Sequence, residues 1–149
     1  MVESAVRIIG LEAAKRLIGR KRLQLANRQI AFKKAVIIID RWVQKNFQEQ
    51  GKPVGGWEPL ADATIERRRK GPRGEGRIAI LQDTSTLKKS FKHVIESDYC
   101  ALVSGVPYGI FHEKGTSKMP QRRILPKVRE VQADIRKVFA DFVGSKIND

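Results

Sequence analysis

Between residues 25 and 47 the apolar positions Leu25, Phe32, Val36, Ile39, Val43 and Phe47 fall three, four or seven apart. That spacing puts them on one helical face, which Ala35, Ile38 and Trp42 widen, while Lys33, Lys34, Arg41 and Lys45 point elsewhere. It predicts one long helix over residues 23–49, stopped by Gly51 and Pro53. The stripe is wide and keeps no sustained heptad, so it reads as core rather than as a coiled-coil seam. Val2, Val6, Ile9, Ala13 and Leu17 give a weaker helical pattern before it, broken by Gly19 and the cluster Arg20-Lys21-Arg22. At the other end Leu125, Val128, Val131, Ile135, Val138, Phe139 and Phe142 predict a helix over residues 126–143, ended by Gly144.

Between these helices the period changes. Phe91, His93 and Ile95 alternate with Lys92 and Val94, and residues 99–104 are rich in β-favouring types. Ser97-Asp98 between the two runs fits a tight hairpin turn, and Gly105-Val106-Pro107 ends the second strand. Short helical turns are expected over residues 64–69, 87–90 and 108–114, the last closed by Gly115. The polar residues Asp83-Thr84-Ser85-Thr86 suit a cap or turn, and residues 116–123 form a basic loop containing Pro120. The order predicts an α+β fold in which the long N-terminal helix and the C-terminal helix pack on a small antiparallel β-sheet. One domain over residues 1–149 is expected: a helical region (1–50), a loop with a basic segment (51–79), a hairpin and short-helix unit (80–125) and a terminal helix (126–149).

Charge sharpens this picture. Thirty Lys and Arg face 16 Asp and Glu, a net charge of +14 spread along the chain. Such a surface attracts nucleic acid, anionic membranes or acidic proteins, and charge alone does not choose among them. The densest run is residues 66–77, ERRRKGPRGEGR, which has too little apolar surface to offset its ordering entropy and is expected to be mobile. Arg67, Arg68, Arg69, Lys70 and Arg73 are its candidate contacts to DNA or an acidic partner, against the plain reading of a solvated loop. Glu3, Arg7, Glu12 and Lys15 interrupt any secretory h-region, and no apolar run approaches the ~20 residues of a membrane span. A cytoplasmic chain with no membrane partner is expected. The single Cys100 cannot form an intrachain disulfide and reads as a buried structural thiol.

Catalytic chemistry finds no support. His93 and His112 lie in different elements, and His112-Glu113, being adjacent on a helix, do not face each other. There are too few His and Cys for a zinc site, and no nucleophile elbow, phosphate-binding loop or dinucleotide fingerprint. The chain is therefore read as a non-enzyme without metal or cofactor.

One set of short motifs keeps a family order. Gly55, Trp57, Pro59, Leu60 and Thr64 are followed by Ile80, Leu81, Thr84, Leu87 and Ser90, then by Tyr108, His112 and Gly115, then by Pro120, Arg122 and Leu125. Over residues 50–127 this resembles the phage virion morphogenesis (tail completion) proteins, relatives of the head–tail joining proteins of tailed phages. Three departures stand out: Ser85 where the family usually has Gly, Gly109 where Ala is usual, and Arg123-Ile124 in place of the common Pro-Phe.

The resemblance implies a structural subunit that forms a ring at the tail end or the head–tail junction. Its partners would be copies of itself and other phage tail or connector proteins, in the host cytoplasm during assembly and then in the virion. The hairpin, with Phe91, Val94, Tyr99 and Leu102, and the basic loop, with Arg122 and Arg123, are the expected subunit contacts. Arg122 could equally be a solvated charge or an intrachain ion-pair residue. Trp57, Leu60, Thr84, Tyr108, His112, Gly115 and Pro120 are expected to hold the scaffold. The competing reading is a stand-alone basic nucleic-acid-binding protein, against which no helix-turn-helix, RNP-type aromatic pair or Gly-x-x-Gly clamp appears.

Overall fold

A computed structural model describes residues 5–7, 28–71 and 78–147. In chain order it has β1 (Ala5–Arg7), α1 (Arg28–Gln48), a 3₁₀ turn (Lys52–Val54), α2 (Asp62–Lys70), α3 (Thr86–Lys89), β2 (Phe91–Ile95), β3 (Cys100–Ser104), α4 (Gly109–Lys114) and α5 (Val128–Ile147). The fold is α+β, with α1 and α5 packed together over a small antiparallel sheet.

α1 forms for the reason its periodicity gives. Phe32, Val36, Ile39, Val43 and Phe47 are all buried, and they meet Cys100 and Leu102 of β3 and Val131 and Ile135 of α5 in one cluster. Each such side chain contributes about 1.5–3 kcal/mol on leaving water. Phe32 meets Phe139 of α5 edge-on at 5.9 Å, and Phe47 meets Trp57 at 5.4 Å and Phe91 at 6.3 Å. At the end of α1 the chain reverses through Gly51, at φ +83°, and Pro53 sits in the 3₁₀ turn that follows. A side chain at Gly51 would collide with the Trp57 ring and backbone, so glycine is what lets the turn close on that indole.

The sheet order is β1-β3-β2, with antiparallel pairing throughout. β2 and β3 pair from Phe91↔Ser104 to Ile95↔Cys100, and the Glu96 N–H donates to the Tyr99 carbonyl at 2.9 Å, leaving Ser97-Asp98 at the corner. Opposed residues share a face. Phe91, His93 and Ile95 therefore lie with Cys100, Leu102 and Ser104 toward α1, and Lys92 and Val94 lie on the other face with Ala101 and Val103.

Three expectations change. The helical pattern over residues 1–22 fails at Ala5–Arg7, which pairs with β3 in the register Ala5↔Val103 to Arg7↔Ala101 and makes β3 the central strand. Cross-strand hydrogen bonding decides there over a weak local period. The remaining residues of that stretch, with 23–27 of the expected long helix, lie outside the described residues. α5 does not stop at Gly144 but continues to Ile147, and a helical Gly costs only about 1 kcal/mol relative to Ala. The basic run is helical to Lys70 rather than mobile from residue 66, because Arg68 Nη1 donates to the Ala79 carbonyl at 2.8 Å and ties α2 to the incoming chain. Residues 72–77 lie outside the described residues.

Candidate functional site

Residues 122–125 cross the molecule without regular structure, so their backbone groups need partners from elsewhere. Three elements supply them. Asn46, fully buried on α1, donates through Nδ2 to the carbonyls of Arg123 (2.9 Å) and Ile124 (3.1 Å). Trp57 Nε1 donates to the Arg123 carbonyl at 2.8 Å. Glu113 Oε2 on α4 accepts the N–H groups of Ile124 (2.6 Å) and Leu125 (3.1 Å). The Arg122 N–H donates to the His112 carbonyl at 2.8 Å. This clasp joins α1, the Trp57 loop, α4 and the start of α5.

The two arginines of the clasp are turned into the protein. Arg122 is 8% exposed and donates through Nε and Nη2 to the carbonyls of Glu58 (2.9 Å) and Pro59 (3.0 Å). Burial lowers its pKa, Glu58 opposes that, and nearby Arg68 adds to it. Arg123 grips Glu130 with two contacts of 2.6 Å and lies 5.6 Å from the Trp42 ring centroid. The same contact raises the Arg123 pKa and lowers that of Glu130. Glu130 also accepts the Lys127 N–H at 2.6 Å, which satisfies a free amide at the start of α5. Arg122 and Arg123 thus sit at an internal joint rather than on an open loop surface.

Glu113 stays raised above the ordinary carboxyl value because burial outweighs the two amides and Arg123. His112 is half-buried, edge-on to Tyr108 at 6.3 Å, with Nδ1 buried and no hydrogen-bond partner among the described residues. Burial, and then Arg122, lower its pKa. Tyr108 is 41% exposed, Pro120 is exposed and Leu60 is half-buried. Gly115 has φ +73°, and a Cβ there would meet the Gln121 backbone at 2.9 Å. Thr84 Oγ1 lies 2.7 Å from Thr86 Oγ1 beside Ser85, which takes the left-handed conformation (φ +58°) that a Gly would take freely.

Of the hairpin candidates, Leu102 is wholly buried, and Phe91 is half-buried and packs on Phe47. Val94 and Tyr99 are half-buried. The backbone is a different matter. The Gly105 N–H donates to the Ser90 carbonyl and the Glu96 N–H to the Tyr99 carbonyl, both at 2.9 Å. Pairing alternates with period two, so Lys92 and Val94 also address β3 while the N–H and C=O groups of Phe91, His93 and Ile95 point away from it. Among the described residues no strand lies beyond that edge.

The basic run divides. Arg67, Arg69 and Lys70 are exposed on α2, with Lys70 3.9 Å from Glu66. Arg68 is turned inward, its Nε 3.6 Å from Asp83, and Arg73 lies outside the described residues. Burial raises the Cys100 thiol to about 11. No group of His, Cys, Asp and Glu suited to a metal occurs among the described residues, and none of their helices is long and apolar enough to cross a membrane. The small depression between Leu87, Phe91, Gly109 and Ile124 has Glu113 as its only ionisable lining residue, already engaged by two amides.

Sequence reasoning missed Asn46 and Glu130, and weighed Glu113 only as a catalytic partner for His112. Asn46 left a signal, a polar residue between Val43 and Phe47 on the apolar stripe. The family model for the phage virion morphogenesis family matches residues 9–143, and the chain belongs to that family. No curated protein and no solved structure matches it.

Proposed function

We propose that this member of the phage virion morphogenesis family is a non-enzymatic subunit of tail completion or head–tail joining that closes into a homo-oligomeric ring. The family assigns a role in virion assembly; the ring and the junction are our reading. The observation that carries it is the free β2 edge, with the backbone groups of Phe91, His93 and Ile95 directed outward. An open edge is a template for a strand from another chain. Among the described residues β1 pairs on one side alone, so its other side on the next subunit is a complementary edge, and a repeated head-to-tail contact of this kind closes by rotation. The exposed part of the loop, residues 116–121, lies beside α4 and completes the contact surface, while Arg67, Arg69 and Lys70 face the phosphate of the DNA or an acidic connector. Assembly takes place in the host cytoplasm, and the ring stays in the virion with tail and connector proteins.

Proline at position 93 tests this, because the His93 N–H makes no ladder bond to β3 and its loss leaves the hairpin intact. His93→Ala controls for the 2.9 Å hydrogen bond between His93 Nε2 and Asp40. With each variant as the only copy in phage-producing cells, finished tailed particles should disappear for His93→Pro and persist for His93→Ala. Normal particle numbers with folded His93→Pro would sink the edge-pairing ring.

A further inference from the structure

The face of α1 turned away from the core is not an ordinary solvated helix face. Ile30 and Ile37 stand on it 47% and 38% exposed, two helical turns apart and about 10 Å along the axis. Around them lie exposed Lys33, Lys34, Arg41 and Lys45. Among the described residues no carboxylate reaches Lys33, Lys34 or Arg41, and Lys45 has only a 3.9 Å contact to Glu49. Asp40, on the same helix, is turned to His93 and Gln44.

We propose that this face docks an acidic amphipathic helix of another protein, with two apolar side chains seated on Ile30 and Ile37 and carboxylates over the surrounding cations. Three arguments select that occupant. A second copy of a chain carrying +14 would bring like charge to a face that already has four cations. A nucleic-acid backbone would satisfy the cations but would leave two half-exposed isoleucines without an apolar partner. An apolar pair at i, i+7 inside a ring of one charge is the pattern by which helices recognise a helix of opposite charge. The inference does not depend on the β2 edge, which the His93→Pro experiment tests separately.

The probe is a fluorescent helical 21-mer carrying two leucines seven residues apart, flanked by glutamates, with a scrambled peptide of the same composition as its control. Binding to the full chain is followed by anisotropy at low and high salt. The matched peptide should bind about tenfold tighter than the scrambled one, the scale expected for seating two partly exposed aliphatic side chains. Ile30→Ser/Ile37→Ser should erase that preference while leaving the salt-sensitive attraction, and Lys33→Ala/Lys34→Ala/Arg41→Ala should weaken both peptides. These side chains are exposed, so unchanged far-UV circular dichroism is expected of all the variants. Equal binding of the two peptides, or a preference that survives the double isoleucine change, would overturn the proposal. So would a DNA duplex whose affinity depends on Ile30 and Ile37, which would reassign the face to nucleic acid.

Discussion

Replacing Asn46 measures how much of the fold hangs on the clasp. Its Nδ2 makes two hydrogen bonds from a fully buried position, and Arg123 keeps a second donor in Trp57 whereas the Ile124 carbonyl has no other bond among those described. Asn46→Leu keeps the branched shape but puts two bulkier methyls in place of the amide, and two bonds worth roughly 1 kcal/mol each are lost. The orphaned Ile124 carbonyl adds about 1–3 kcal/mol, and removal of the buried, unbonded Asn46 Oδ1 returns part of it. The expected cost is about 2–4 kcal/mol out of the 5–15 typical of a domain. Asn46→Asp is the sharper variant: at pH 7 it sets a carboxylate against two carbonyls, and its burial raises the pKa above the unfolded value. The stability of this variant relative to Asn46→Leu is therefore greatest below the unfolded carboxyl pKa and is lost as pH rises through the folded one. Urea unfolding followed by the fluorescence of Trp42 and Trp57 reads both effects. An Asn46→Leu midpoint within about 0.5 kcal/mol of the parent would refute the clasp as a determinant of stability. An Asn46→Asp curve with no recovery on acidification would refute the burial argument.

The same assay tests two further points. Gly51→Ala should cost about 2–4 kcal/mol, since its Cβ would lie 2.4 Å from the Trp57 ring at φ +83°, whereas Gly56→Ala, at φ +94° with nothing within 4 Å, should cost about 1 kcal/mol; equal losses would remove the steric argument. His112 is depressed below the ordinary 6.5, so its contribution is present above that value and fades as pH falls through the folded pKa. Glu130, also depressed, loses its share at still lower pH, while the raised Glu113 contributes in the opposite sense, gaining as pH falls. Stability should therefore decline first between neutral pH and the carboxyl range, and His112→Gln should flatten that slope; an unchanged slope would mean the histidine does not set it.

Period and turn chemistry made α1, the hairpin and α5 legible because each signal is local: an apolar face every three or four residues, or Ser97-Asp98 between alternating runs. β1 was not legible, since three residues become a strand only through a partner about 95 positions away in the chain. For Arg122 the sequence leaves a subunit contact, a solvated charge and an intrachain ion pair open, because the carbonyls that hold it, on Glu58 and Pro59, are more than sixty residues upstream. α2 illustrates a third case. Its polar composition predicts no more than helical turns over residues 64–69, and the tether from Arg68 to Ala79 cannot be seen in any window of sequence. The candidate contacts divide for the same reason: Leu102 and Arg122 have the right types for an interface, but the rest of the fold buries their side chains.

The use of polar residues inside this core follows from the path of residues 122–125. A segment without helix or strand brings N–H and C=O groups into the interior, and apolar side chains cannot satisfy them. Asn46, Trp57 and Glu113 do so, each from a different element, so that loop geometry becomes as fixed as that of the helices around it. The consequence reaches the surface. With the clasp holding α1 against α4 and α5, and Asp40 of α1 bonded to His93 of β2, the free strand edge and the outer face of α1 are parts of one framework. A subunit joined through its strand edge in the proposed ring would therefore carry its α1 face in a set direction, open to the separate helical partner proposed for it.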